Sequence, residues 1–274
     1  MPSKTVDNIK KILVIAGYDP SGGAGLLSDL KTIHSLGGYA LCIPTCLTIQ
    51  DTQKVYEVFK IDEKIILKNL EIILSDCMID AVKIGVLYSK NIISIVCNII
   101  KKYNLKNIVL DPIIRPTTGV SLLEESALEE LKNLISLCDI ITPNIPEAEI
   151  LTKIKIKNIE DAKLSAKILR ELGAKTVVIK GGHWEGEKII DILFKDNNFY
   201  IKSSKRINTE KEVHGTGCTF SSALATFLAM GYDYYSAFLK TKNYIIKSIK
   251  NAINIGKGKK IINISFDKSA PLRI

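Results

Sequence analysis

The stretch AVKIGVLYSKNIISIVCNIIKKYNLKNIVLDP, residues 81–112, decides the fold class. It begins with a short apolar run at 81–84, continues with a helical segment capped by Ser89 or Asn91, and ends with a second apolar run at 107–110. Two short apolar runs joined by a helical segment are typical of buried parallel strands with a helical crossover. This stretch therefore predicts an α/β fold.

The same alternation continues on both sides of this stretch. Further strands are predicted at residues 12–16, 41–49, 139–142, 176–180, 189–194 and 199–203. Further helices are predicted at residues 24–36, 65–74, 122–137, 159–172, 218–230 and 234–253. Because no repeat or long linker interrupts the pattern, we expect one domain over residues 1–274, with a flexible tail at about residues 1–10. Its sheet should be doubly wound and mostly parallel, with helices on both faces.

Composition excludes several classes of protein. The chain has 274 residues, of which 46% are hydrophobic, so it can build a sizeable core. Its first residues resemble neither a signal peptide nor a membrane span, and we expect a cytoplasmic protein without a membrane partner. The six cysteines form no C-x-x-C pair and the three histidines lie far apart, which argues against a zinc site.

The net charge of +9 does not indicate a nucleic-acid partner. The lysines are spread along the chain and often fall on the polar faces of predicted helices. The densest run, Lys257-Gly258-Lys259-Lys260, has no aromatic residue within it. A solvated basic surface, which can attract anionic substrates, explains the charge better.

Glycine, proline and polar residues lie at the ends of four predicted strands. These are Gly17, Asp111-Pro112, Pro143-Asn144 and Lys180-Gly181-Gly182. In open parallel sheets, ligands bind beyond the carboxyl ends of the strands. The recurrence of polar and glycine residues there predicts a ligand site at that edge.

The loop after the first strand, residues 17–25, contains several glycines. Gly23-x-Gly25-x-x-Ser28, with Asp51 further on, approaches a dinucleotide fingerprint. In a dinucleotide fold, however, the glycine turn follows the strand at once and the third glycine is retained. We therefore favour a loop that closes around a small molecule, since glycine lets the backbone approach a ligand closely.

The segment His214-Gly215-Thr216-Gly217-Cys218-Thr219 precedes an apolar, alanine-rich helix. A glycine turn at a helix start exposes unpartnered N–H groups at the positive end of the helix dipole, and such a turn can hold a phosphate. The same residues could also form a plain turn in which Thr216 caps the helix. Taken alone, the segment leaves both interpretations open.

Seven segments in order resemble the hydroxymethylpyrimidine/phosphomethylpyrimidine kinases of thiamine biosynthesis, in the ribokinase-like superfamily. They lie at residues 15–25, 47–52, 82–85, 110–112, 142–148, 180–183 and 214–219. The resemblance implies a ribokinase-like fold without a large lid domain, and a homodimer. It implies two ATP-dependent phosphorylations at one site, of 4-amino-5-hydroxymethyl-2-methylpyrimidine to its monophosphate and then to the diphosphate.

The resemblance also assigns site residues. The residues expected to contact or shape the pyrimidine pocket are Gly17, Asp29, Gln50, Val86 and Ile113. Those expected on the ATP side are Asn144, Glu147, Lys180 and Thr216, with Asp111 and Glu147 near Mg²⁺, mainly through water. The catalytic set is Lys180, Gly215, Gly217 and Cys218, because phosphoryl transfer needs positioning and charge stabilisation.

Three questions stay open at this stage. Cys218 stands where most sugar kinases of the superfamily carry an aspartate base; it either takes the hydroxyl proton, completes the anion hole or only packs at a helix start, where thiol pKa values fall. Tyr18, Val86 and residues 115–120 depart from the family pattern, which bears on pocket shape. The alternative activities are a pyridoxal kinase on the same fold and a non-catalytic ligand-binding regulator.

Overall fold

A computed structural model describes residues 9–114 and 120–264. Most of the predicted tail, residues 1–8, and most of the unusual loop, residues 115–119, lie outside the described residues. Lys10 is held in place, because its carbonyl accepts the N–H of Tyr39 at 2.8 Å and its Nζ lies 3.1 Å from Asp80 Oδ1. The expected tail therefore does not reach residue 10.

Within the described ranges, nine strands form one sheet in the order β3-β2-β1-β4-β5-β6-β7-β8-β9. The strands are β1 Lys11–Tyr18, β2 Tyr39–Gln50, β3 Val55–Lys60, β4 Ala81–Ile84, β5 Ile108–Leu110, β6 Ile140–Ile141, β7 Thr176–Ile179, β8 Lys188–Lys195 and β9 Asn198–Lys205. The strands from β2 to β7 in this order run parallel. The edge strands β3, β8 and β9 pair antiparallel. A small separate pair joins β10 Val213–His214 to β11 Lys260–Ile261.

Helices cover both faces of the sheet. They are α1 Gly25–Ser35, α2 Glu63–Asp76, α3 Lys90–Tyr103, α4 Leu128–Ile135, α5 Ile145–Thr152, α6 Ile159–Glu171, α7 Thr216–Ala229 and α8 Tyr234–Lys250. One apolar cluster joins the sheet to α2 through α6. A second joins the opposite face to α1, α7 and α8. This arrangement confirms the predicted doubly wound fold with helices on both faces.

The sequence analysis missed the strands β3, β10 and β11 and the helix α5. The strand β3, VYEVFK, mixes apolar and charged residues because it is a largely exposed edge strand, so it lacks the apolar run of a buried one. The helix α5 follows Pro143-Asn144, which was interpreted only as a strand end; Asn144 is in fact the N-cap of a short helix. Of the two residues predicted to cap α3, Ser89 is the N-cap, since its Oγ accepts the N–H of Ile92.

The strand order reverses between β1 and β4. The chain moves outward from β1 to β2 and β3, then returns by α2 to β4 on the other side of β1. Crossovers therefore leave in opposite directions from β1 and β4, and a crevice opens beyond their carboxyl ends. This crevice positions the candidate site. Among the described helices, none is long and apolar enough to cross a lipid bilayer.

Candidate active site

A cavity of about 930 Å³ opens at the carboxyl edge of the parallel strands. It is surrounded by every predicted site residue except Asp29. Those residues are Gly17, Gln50, Val86, Asp111, Ile113, Asn144, Glu147, Lys180, Gly215, Thr216, Gly217 and Cys218. The residues predicted for the pyrimidine and for ATP surround one continuous space. A phosphoryl donor and a phosphoryl acceptor could therefore meet in this cavity.

The first glycine loop is folded around the carboxylate of Asp19. This carboxylate accepts the N–H groups of Ser21 at 2.8 Å and Ala24 at 2.9 Å. Burial raises the pKa of Asp19, but hydrogen bonds from His214 and Ser21 outweigh it and leave the pKa below its ordinary value. Asp19 was not among the predicted site residues. The signal was present, since Asp before Pro-Ser-Gly commonly turns back onto its own backbone.

The second glycine loop packs directly against the first. Gly215 has φ +89, and a Cβ there would lie 1.8 Å from the carbonyl oxygen of Gly23. Gly215 is also the N-cap of α7, and no side chain caps this helix. The interpretation in which Thr216 caps α7 is therefore wrong, and the first N–H groups of α7 are left for a ligand. This geometry favours an anion site at the turn.

His214 contacts both the first glycine loop and the end of β2. Its Nε2 lies 3.1 Å from Asp19 Oδ2 and 3.3 Å from the amide nitrogen of Gln50. These contacts tie the strand β10 to the first glycine loop and to the end of β2. His214 therefore helps to hold these segments together.

Lys180 and Asp111 form an ion pair at the base of the cavity, with Nζ 2.6 Å from Oδ1. Thr142 and Ser221 also donate hydroxyl hydrogen bonds to the Asp111 carboxylate, at 3.3 Å and 3.4 Å. Burial by itself lowers the pKa of Lys180, but the charges of Asp111 and Glu147 outweigh it and hold the pKa above its ordinary value. Lys180 is therefore a fixed cation beside the anion turn.

Gly217 allows this cation to approach α7. A Cβ on Gly217 would lie 3.3 Å from Lys180 Nζ and 3.6 Å from Asp111 Oδ2. The first turn of α7 therefore faces the ion pair with bare backbone. A phosphoryl group at this turn would meet backbone N–H groups and an ammonium together.

Asn144 and Glu147 form a capping box at the start of α5. Asn144 Oδ1 accepts the N–H of Glu147 at 2.9 Å, and Glu147 Oε2 accepts the N–H of Asn144 at 2.8 Å. Burial raises the pKa of Glu147 to about 7, although the nearby Lys180 ammonium opposes the rise. This carboxyl group therefore titrates near neutral pH while it lines the cavity.

Asp29 does not line the cavity, and the prediction that its side chain touches the pyrimidine is wrong in this structure. Its side chain is fully buried, with Oδ2 2.7 Å from Lys83 Nζ and Oδ1 2.7 Å from Ser222 Oγ. Both carboxylate oxygens are committed beneath the cavity floor. Lys83 belongs to the recognised segment 82–85, but the sequence analysis gave it no role because it lies in the middle of an apolar strand.

The structure shows what Asp51, the acid of the rejected dinucleotide interpretation, does instead. Asp51, which would have held a ribose, lies in the turn between β2 and β3 and accepts the N–H groups of Gln53 and Lys54. Its carboxylate forms a tight turn at the surface. Trp184 packs against the core and donates from Nε1 to the Ile190 carbonyl at 2.8 Å.

A sequence model of the family described as Phosphomethylpyrimidine kinase matches residues 19–263. The chain belongs to this family. A hydroxymethylpyrimidine/phosphomethylpyrimidine kinase of Aquifex aeolicus is 43% identical over 92% of this chain and 98% of the relative. The predicted family and its enzyme class, the phosphotransferases, are thereby confirmed.

Solved structures of related kinases share the fold. A phosphomethylpyrimidine kinase of Clostridium difficile is 41% identical, with a TM-score of 0.78 over 88% of this chain and 99% of that structure. A Bacillus subtilis pyridoxal kinase, solved as an ADP complex, is 32% identical with a TM-score of 0.86 over 94% of this chain and 98% of its own. Phosphomethylpyrimidine kinases and pyridoxal kinases thus have closely similar folds.

Cys218 in this phosphomethylpyrimidine kinase family member lies in the first turn of α7 and is buried. Burial raises the pKa of its thiol to about 12, although the Lys83 ammonium opposes the rise. The expectation that the helix start lowers this pKa is therefore wrong, because desolvation of the thiolate is the larger effect. The thiol is neutral at physiological pH, which favours a place in the anion hole over a role as base.

Proposed function

We propose that this family member transfers a phosphoryl group from ATP to the hydroxymethyl group of 4-amino-5-hydroxymethyl-2-methylpyrimidine, and then phosphorylates the monophosphate to the diphosphate. The main support is the single cavity that joins Gly17, Gln50 and Val86 to the turn at residues 215–218. The curated relative from Aquifex aeolicus carries the name of both activities.

The pyrimidine is proposed to lie between the ends of β1, β2 and β4. Gln50 offers an amide that can both donate to and accept from an aminopyrimidine edge. Gly17 lets the end of β1 lie close to two other residues of this pocket, since a Cβ there would lie 2.9 Å from Cys46 Sγ and 3.4 Å from the Cβ of Val86. Val86 and Ile113 supply apolar contacts, and the hydroxymethyl group then points toward α7.

ATP is proposed to lie on the opposite side of the cavity. Lys180 and the N–H groups of residues 215–218 stabilise the charge of the phosphoryl group in transfer. Asn144, Glu147 and Thr216 line the path of the phosphates. Apolar side chains of α8, among them Ile245 and Ile249, border the same cavity and suit a nucleobase.

The residues present fit Mg²⁺ as a cofactor. Among the described residues, no group of three or more His, Cys, Asp or Glu side chains could hold a metal ion by itself. Mg²⁺ commonly needs only one or two carboxylates, with phosphates and water as the other ligands. Asp111 and Glu147 would hold such an ion mainly through water. When bound, Mg²⁺ neutralises charge on the phosphate oxygens.

The competing proposal is a pyridoxal kinase, because the Bacillus subtilis pyridoxal kinase is similar in fold over nearly the whole chain. Steady-state kinetics with both alcohols, ATP and Mg²⁺ separates the two, with product analysis for mono- and diphosphate. We expect the pyrimidine to be the better substrate and the diphosphate to accumulate. A hundredfold preference for pyridoxal would overturn the proposal, and undetectable ATP turnover with either would support a ligand-binding regulator.

We also propose a homodimer built on the sheet edge behind the pyrimidine pocket. Alternate residues of a strand face opposite sides. Cys46, Thr48 and Gln50 of β2 face the cavity, whereas Leu47 and Ile49 point away and are about half exposed, at 46% and 50%.

On β3, Phe59 pairs with Leu47 and is 51% exposed. An exposed apolar face on an edge hairpin suits a second copy of the same chain, since two-fold contacts bury the same patch on both subunits. A cytoplasmic location and a single kinase domain complete the proposal.

A further inference from the structure

The fully buried Lys83 is a charge that the sequence pattern does not explain. It lies at the centre of the parallel sheet, between Val14 of β1 and Val109 of β5 in register. Its side chain and that of Asp29 have no exposed surface. Burying an ion pair costs several kcal/mol per charge, and apolar residues often replace such pairs without loss of stability. Stability alone therefore does not account for a lysine at this position.

The pair is oriented toward the cavity. Lys83 Nζ is 2.7 Å from Asp29 Oδ2, and the other Asp29 oxygen accepts the hydroxyl of Ser222 in α7 at 2.7 Å. Asp29 thus anchors the ammonium from the side of α1 and α7. Lys83 borders the cavity although solvent does not reach it, whereas Asp29 does not border it.

Gly85, directly after β4, leaves the space that the Lys83 ammonium occupies. A Cβ on Gly85 would lie 2.8 Å from Lys83 Nζ and 3.0 Å from the Cβ of Ala16. The missing side chain leaves space for the ammonium directly beneath the floor. The next residue, Val86, lines the cavity on the side assigned to the pyrimidine.

We propose that Lys83, anchored by Asp29, is the buried positive charge that stabilises the hydroxymethyl oxygen and the transferring phosphoryl group from beneath the floor of the site. It acts through its electric field from the border of the cavity, in the space that the missing side chain of Gly85 leaves. Asp29 then serves the reaction as a positioning residue for Lys83. This inference rests on the proposed function for its kinetic part.

The electrostatics of neighbouring groups support this orientation. The positive charge of Lys83 acts on Cys218 in the first turn of α7, where it favours the thiolate and opposes the effect of burial on the pKa. Burial lowers the pKa of Lys83, but the charges of Asp29 and Asp111 outweigh it and hold the pKa above its ordinary value. A preorganised charge in a site of low dielectric stabilises developing negative charge without reorganisation.

The test compares wild type with the double variant Lys83→Met/Asp29→Asn, which removes both charges and leaves the net charge unchanged. We expect the melting temperature to stay close to that of wild type, KM for both substrates to change less than threefold, and kcat to fall about ten- to hundredfold. The single variant Asp29→Asn keeps the ammonium and should lose less of kcat than the double variant. An unchanged kcat in a folded double variant would overturn the proposal.

Gly85→Ala provides an independent variant if the double variant does not fold. It keeps both charges but crowds the ammonium, and kcat should fall severalfold while KM for ATP stays constant. If kcat of Gly85→Ala equals that of wild type, the proposal also fails.

Alkylation by iodoacetamide gives a readout that needs no substrate. At pH 9, Cys218 should be modified severalfold more slowly in the double variant than in wild type, as measured by mass spectrometry of the peptide. Cys46 serves as the internal control because it lines the same cavity and its pKa is set by burial and Thr45. A wild type without pyrimidine kinase activity contradicts the proposed function alone, whereas equal alkylation of Cys218 in both proteins contradicts the role of Lys83.

Discussion

The ammonium of Lys180 lies 2.6 Å from the carboxylate of Asp111, and both face the bare backbone of Gly217 at the start of α7. Asp111 follows β5 and Lys180 follows β7, so the pair bridges the end of β6 between them. The pair fixes one cation at the point where the anion turn begins. Its geometry leads to the first prediction.

Replacing Lys180 should impair turnover far more than pyrimidine binding. We expect Lys180→Ala to lower kcat about 100-fold or more, since it removes a charge that stabilises the transferring group. The dissociation constant of the pyrimidine, measured by calorimetry, should change less than threefold. Lys180→Gln, which retains a donor for Asp111, controls for the loss of the buried pair. Equal losses of binding and turnover in a folded variant would show that Lys180 does not belong to the phosphate side.

Stability should depend on pH through Glu147. The folded pKa of this group is raised from 4.5 to about 7 by burial. A raised pKa favours folding at low pH, and this contribution is lost as pH rises between those two values. Without nucleotide, the loss is on the order of 3 kcal/mol.

The control for this prediction is Glu147→Gln, whose amide oxygen can still accept the N–H of Asn144. Denaturant unfolding at pH 5 and pH 8 should show a smaller difference for this variant than for wild type. Matching pH dependence in the two proteins would mean that Glu147 keeps an ordinary pKa in the folded state.

Cys218 should be replaceable by serine. Because its thiol is neutral at physiological pH, we expect Cys218→Ser to keep kcat within about tenfold and to leave the shape of the kcat–pH profile unchanged. A general base would instead account for about 10²- to 10⁴-fold. Cys46→Ser is the matched control, as a second buried thiol of the same cavity. A loss in that larger range for Cys218→Ser alone would establish the thiol as the base.

Gly215 and Gly231 offer a matched pair of substitutions. Both have φ +89, so alanine is strained at each by about 1–2 kcal/mol. At Gly231 a Cβ meets nothing within 4 Å, whereas at Gly215 it would lie 1.8 Å from the Gly23 carbonyl oxygen. Gly231→Ala should therefore lose stability but keep kcat. Gly215→Ala should separate the two glycine loops and abolish activity, as measured by steady-state kinetics beside a thermal melt. Similar kcat values for the two variants would contradict the packing of the loops.

The oligomeric state should respond to charge on the outer face of β2 and β3. Ile49→Glu and Phe59→Glu each place a carboxylate on the proposed dimer face, and we expect sedimentation to show monomers. Ile72→Glu, an exposed apolar position on α2, is the control and should leave the dimer intact. A monomeric wild type would contradict the proposal, and so would dimers that survive both substitutions on the face.

Much of the site was predictable from local pattern. Asp111, Asn144 and Lys180 each follow a short apolar strand, and parallel strands bring their carboxyl ends to one edge whatever the details of packing. Gly215 precedes an apolar helix, so an exposed helix start could be foreseen there. The strand β3 was missed because an exposed edge strand need not show an apolar run.

The sequence by itself determined the doubly wound fold, the family and the edge of the sheet where the ligand site lies, because hydrophobic period and motif order are local properties of the chain. Only the tertiary structure decided what Asp29 and Cys218 do. The carboxylate of Asp29 does not line the cavity because it pairs with the ammonium of Lys83, 54 positions later in the chain. Cys218 stays neutral because the packed core around α7 desolvates it more strongly than the helix start favours its anion. Burial and pairing arise between distant segments, and no local pattern encodes them.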